Sequence, residues 1–149
     1  MSRKIRRAVL GALLSAGATA GLLAGTAGTA HAAGGPVYAV NLNWINVVDN
    51  QDNNSVDEVY IKVNGSTVWG PHDLHWNTPE NLNISLPRTF YFDSATAMKI
   101  EFWDQDPGRD DRVGTISLSA AAPNVGPNAA DLRGNDGEYI VYYTVTQIA

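Results

Sequence analysis

Apolar and polar positions alternate along much of the chain with a period of two. Tyr38, Val40, Leu42 and Trp44 alternate with Ala39, Asn41 and Asn43; Val59, Ile61 and Val63 with Tyr60 and Lys62; Met98, Ile100 and Phe102 with Lys99 and Glu101. Successive side chains of a strand point to opposite faces, so this spacing predicts strands that each bury one face. Further strands are predicted over 67–69, 82–86, 89–92, 113–118 and 138–146, the last dense in Tyr, Val and Thr. No apolar stripe with helical spacing runs for a useful length. Asn64-Gly65, Pro107-Gly108, the stretch 124–127 and Asn135-Asp136-Gly137 supply turn or loop signals between the strands. About eight short strands with almost no helix imply an all-β fold, an antiparallel β-sandwich. The stretch 120–137 is the longest without periodicity and reads as a loop packed over one end of the sandwich, ahead of the alternative that it is a place for a partner.

The N-terminus follows a different rule. Residues 1–7 carry Arg3, Lys4, Arg6 and Arg7, residues 8–28 are rich in Ala, Gly and Leu, and Ala30-His31-Ala32 has the small-x-small form of a cleavage site. This predicts a signal peptide over 1–32, a single domain over 33–149, and a secreted, extracellular protein. The apolar run is long enough for a bilayer core of about 30 Å. It is diluted, however, by Ser15, Gly17, Thr19, Gly21, Gly25 and Thr26, and the cleavage site favours export over anchoring. Arg6-Arg7 resembles a twin-arginine signal without separating the two export routes.

Charge and cysteine content narrow the function. The chain has 149 residues and a formal charge of −5; cleavage after Ala32 removes four cations and no acids, leaving −9. The remaining Lys62, Arg88, Lys99, Arg109, Arg112 and Arg133 are dispersed, which argues against nucleic acid as a partner. With no cysteine there is no disulfide framework, thiolate metal site or cysteine nucleophile. His-Glu-x-x-His, Gly-x-Ser-x-Gly and a phosphate-cradling glycine loop are also missing, so a non-enzymatic role is expected.

The acidic residues gather in two places. Asp49, Asp52, Asp57 and Glu58 lie with several Asn between the first two strands; Asp104, Asp106, Asp110 and Asp111 lie between the strand ending at Trp103 and the one starting near Val113. Two ionised carboxylates about 5 Å apart repel by about 3 kcal/mol at an effective dielectric near 20, so close packing calls for a counter-charge or a shifted pKa. A divalent cation supplies that charge. Calcium suits oxygen donors presented by loops. Zinc and copper do not, since the sandwich region offers only His72 and His75 as imidazole ligands. An EF-hand is excluded: counted from Asp104, the required Gly falls on Arg109 and the required Glu on Thr115.

The stretch Trp103-Asp104-Gln105-Asp106-Pro107-Gly108-Arg109-Asp110-Asp111-Arg112-Val113-Gly114 resembles the third calcium loop of a C2 domain. Ser55-Val56-Asp57-Glu58-Val59-Tyr60-Ile61-Lys62-Val63 resembles that family's first-loop motif, and Phe90-Tyr91-Phe92 followed by Met98-Lys99-Ile100-Glu101-Phe102 resembles the strands that introduce the third loop. The resemblance covers residues 37–146 and implies calcium ligands at Asp57, Asp104, Asp106 and Asp111, with Asp110 as a substitute. Three departures stand out: Glu58 replaces the usual proline, the third loop is one residue short, and the first-loop Asp expected before Asp57 falls on Gln51. Asp52 or Asp49 then takes that role.

A C2-like fold implies a calcium-dependent recognition or structural module, with phospholipid headgroups or another surface as partner. A second class is a calcium-stabilised carbohydrate-binding sandwich, in which Trp69 and Trp76 flank His72 and His75 and offer a flat platform for polysaccharide. Nothing in the sequence fixes the oligomeric state.

Overall fold

The computed structural model describes residues 35–51, 56–134 and 137–149; the expected signal peptide, Asp52 and the Asn135-Asp136 part of the last turn signal lie outside them. Among the described residues nine strands and one helical turn follow in order: β1 (Tyr38–Asp49), β2 (Val56–Val63), β3 (Ser66–His75), β4 (Glu80–Asn81), α1 (Leu82–Ser85), β5 (Thr89–Phe92), β6 (Met98–Asp104), β7 (Asp111–Leu118), β8 (Gly126–Arg133) and β9 (Glu138–Gln147). They form the expected antiparallel sandwich. One sheet has the order β4-β1-β9-β8, with β5 also paired to β1, and the other the order β3-β2-β6-β7.

Alternation builds the core. Leu42, Ile45, Val47, Tyr139 and Val141 point inward from the five-stranded sheet, and Val59, Ile61, Ile100, Phe102 and Val113 meet them from the four-stranded one. Each such side chain stabilises the fold by about 1.5–3 kcal/mol relative to its exposed state. The predicted turn at Asn64-Gly65 joins β2 to β3, with φ of 49° and 83°, the left-handed conformation that a two-residue hairpin turn needs.

Four local expectations are corrected. Over 82–86 the chain forms one helical turn instead of a strand: the Asn81 side chain caps it by accepting from the Asn83 N–H, and Leu86 N–H closes on Leu82 O at 2.8 Å. Leu82 and Leu86, four apart, are both buried while Ile84 between them is exposed, so the apparent alternation conceals a helical period. Within 120–137, expected to be a loop, β8 forms as an edge strand. It pairs with β9 from Gly126↔Val145 to Arg133↔Glu138 and buries only Leu132 fully, so its sequence carries no run of large apolar residues. β3 extends well past 69, through Gly70-Pro71, to His75. In β1 a register shift between Leu42 and Trp44 reverses the phase: Leu42 stays inside, Trp44 turns out to 41% exposure, and Ile45 and Val47 take up the inner face.

Candidate metal site at the loop end

Antiparallel pairing brings both acidic segments to one end of the sandwich. Asp49 closes β1 and Val56 opens β2; Asp104 closes β6 and Asp111 opens β7. β2 and β6 are hydrogen-bonded neighbours with Val59 opposite Asp104, and the Gln105 N–H reaches Glu58 O at 3.0 Å. The connection from β8 to β9 reaches the same end, where Gly134 N–H bonds to Gly137 O at 3.0 Å.

Strand parity decides which carboxylates turn inward. Asp57 shares its face with Val59, and both are fully buried; Asp104, opposite Val59, is buried as well. Asp111 is directly opposite Asp104 in the β6–β7 pair, on the half-buried side of β7. Opposed residues in a sheet have Cβ atoms roughly 5 Å apart, so these two acids are neighbours. Asp106 follows in the turn, half-buried, and its carbonyl accepts the Gly108 N–H at 2.7 Å.

Asp57 is held from two sides. Its Oδ2 accepts the Gln51 backbone N–H at 3.0 Å and the Tyr139 hydroxyl from the facing sheet. The Tyr139 phenol is pushed well above its ordinary pKa, first by burial, then by its bond to Asp57 and by the negative charges of Asp57 and Asp104. Both carboxylates are therefore felt at one hydroxyl group in the interior. Gln51 occupies the position where the family resemblance places an acid. A side chain at Gly137 would lie 2.6 Å from Gln51 Cγ, so the glycine leaves room for the glutamine. Gln51 Oε1 is buried with no hydrogen-bond partner among the described residues.

Asp110 goes elsewhere. Its Oδ2 accepts the Tyr60 hydroxyl at 2.7 Å. Tyr60 belongs to the opposite, outer face of the same sheet: it stacks on Trp103 at 6.4 Å between ring centres, and Lys62 Nζ sits 5.2 Å and 4.8 Å from the two rings. Burial and Asp110 push the Tyr60 pKa up to about 12. Asp49 is exposed at the end of β1, opposite Glu138. Asp104 thus stands opposite Asp111 and on the strand next to the one that carries Asp57, whereas Asp110 is turned to the outer face. Among the described residues no three or more His, Cys, Asp or Glu side chains are grouped so that they could hold a metal ion. Carboxylate and amide oxygens predominate at this end, with the His75 imidazole opposite Val56. That chemistry fits a hard cation such as calcium, which takes roughly six to eight oxygen ligands in flexible geometry.

The aromatic platform is also revised. Trp69 is 5% exposed, inside the core, with His72 stacked against it at 4.5 Å, while Trp76 is 60% exposed. The Trp76 indole N–H bonds to Val48 O at 2.8 Å, which fixes the ring close to the acidic end of β1. Sequence reasoning overlooked Tyr139 and met Gln51 only as a departure from the resemblance, a neutral residue where an acid was sought. The signal for Tyr139 was its place in the alternation of the last strand, in phase with Val141 and Tyr143.

No known protein family profile matches the chain. No curated protein sequence matches it either. Solved structures do. The chain is similar to the paired C2 domains, A and B, of extended synaptotagmin 2 at 14% identity, covering 93% of this chain and 48% of that one with a TM-score of 0.53. It is also similar to the first C2 domain, domain A, of plant extended synaptotagmin 1 (12% identity, 78% of this chain, 98% of that chain, TM-score 0.44) and to a solved C2 domain (17%, 74%, 98%, 0.43). At such identities the likeness is one of fold. An all-β sandwich with acidic loops gathered at one end is the class defined here. More specifically, the fold is C2-like.

Proposed function

We propose that the chain is a secreted, non-catalytic recognition module that binds calcium at the loop end and, through the ion, an anionic phospholipid headgroup. Asp57, Asp104, Asp106 and Asp111 are the ligands in this reading, joined from the first loop by Asp49 or Asp52 and by the neutral oxygen of Gln51. The observation that carries it is the pair of buried acids, Asp57 and Asp104, on adjacent strands at the end where both acidic segments emerge. A cation there offsets their repulsion and gives a strongly anionic chain the positive charge that an anionic headgroup requires. The ring of Trp76, exposed beside Val48, is of the amphipathic type that settles at a membrane interface. The missing catalytic motifs and the N-terminal export pattern support the non-catalytic and secreted parts of the reading.

Co-sedimentation with vesicles tests it. The chain is expected to pellet with phosphatidylserine-containing vesicles in calcium and to stay in solution with chelator or with phosphatidylcholine alone. Equal pelleting in calcium and chelator, or none in either, contradicts the proposal.

A further inference from the structure

The outer face of the five-stranded sheet carries a groove of about 530 Å³ lined by Trp44, Asn46, Asn77, Pro79 and Tyr142. We propose that it binds a neutral polysaccharide, independently of the loop end. Trp44 and Tyr142 are directly opposed in the β1–β9 pair, 41% and 44% exposed, so two aromatic side chains stand together on a rigid strand surface. The register shift that turned Trp44 outward created this pair. On the far side of Tyr142 the opposed residue of β8 is Ala129, whose methyl group is too small to cover the ring.

The lining chemistry selects the occupant. Two amides, an aromatic pair and a proline line the groove, and none carries a charge at neutral pH, although the chain as a whole is strongly acidic. An anionic headgroup or a basic peptide finds no counter-charge here. Sugar rings present C–H faces that pack on aromatic side chains, and hydroxyl groups that both donate to and accept from side-chain amides. Asn46 Oδ1 is covered by neighbouring atoms and meets no donor among the described residues. Turning that amide toward a ligand therefore breaks no hydrogen bond accepted by this oxygen, and an acceptor in need of a donor suits a hydroxyl. A proline-rich peptide, the other ligand that favours aromatic grooves, has few N–H donors to offer it. The volume is of the size that accommodates a small ligand or a short stretch of sugar units.

Affinity electrophoresis of the chain through gels containing soluble xylan, hydroxyethyl cellulose or glycol chitin, with and without chelator, tests the proposal. Retardation by at least one of these polymers is expected, equal in calcium and chelator. Trp44→Ala and Tyr142→Ala each weaken it by about tenfold or more, as removal of a central aromatic anchor does. Asn46→Ala, which keeps both rings, also weakens retardation and carries the test if an aromatic variant melts at a lower temperature than the parent. Retardation by none of the polymers overturns the proposal. So does retardation that persists in all three variants, or binding of a polyproline peptide in place of sugar. Loss with chelator alone also overturns it, by tying binding to the loop end.

Discussion

Asp104, the last residue of β6, and Asp110, just before β7, flank one short turn, yet they serve opposite faces of the same sheet. Asp104 is buried beside the partner strand that carries Asp57, within electrostatic reach of the Tyr139 hydroxyl. Asp110 binds the Tyr60 hydroxyl at 2.7 Å on the outer face, next to a stacked Tyr60–Trp103 pair overlaid by Lys62. Counting acids in a loop therefore overstates how many turn toward the interior. What assigns each acid is the parity of the strand from which it leaves.

Substitutions can break this contrast. The largest effect is expected for Asp57→Ala measured in chelator: it removes the acceptor of the half-buried Gln51 N–H and of the buried Tyr139 hydroxyl, and lowers stability by about 1–3 kcal/mol in denaturant unfolding. Asp57→Asn, which keeps an amide oxygen as acceptor, loses less. An Asp57→Ala variant as stable as the parent sinks the idea that this acid is structurally held. A smaller effect is expected for Asp110→Asn. Its amide oxygen still accepts from Tyr60, so stability falls by less than about 1 kcal/mol and the response to calcium is unchanged. A calcium response lost in Asp110→Asn places that side chain with the inner acids after all.

Much of the fold was legible because most strands keep strict alternation, as in Met98, Ile100 and Phe102, all buried as expected. The convergence of the acidic segments was also anticipated: one joins β6 to its antiparallel neighbour β7, and the other leads from β1, in the facing sheet, into β2, which pairs antiparallel with β6. Legibility failed where phase or period changes locally. The register shift near Leu42 and Trp44 moved a tryptophan from the expected inner row to the surface, and Trp44 became part of a groove that no motif announced. Leu82 and Leu86 satisfied two periods at once, and tertiary burial with the Asn81 cap chose the helical one. β8 gave no signal, because an edge strand that leans on β9 needs little apolar surface of its own. Trp69 and Trp76 looked equivalent in sequence, but one faces into the core and the other lies beyond the end of β3.

The most direct test is a thermal unfolding series of the chain against free calcium, with Asp104→Asn plus Asp106→Asn as the comparison. At a free concentration a hundred times the dissociation constant, binding adds about 2.7 kcal/mol, which for a domain of this size raises the melting temperature by about 10 °C. We expect that rise in the parent chain, its reversal by chelator, and its near-complete loss in the double variant. A melting temperature indifferent to calcium, or an equal rise in both proteins, contradicts a calcium site built on the inward acids.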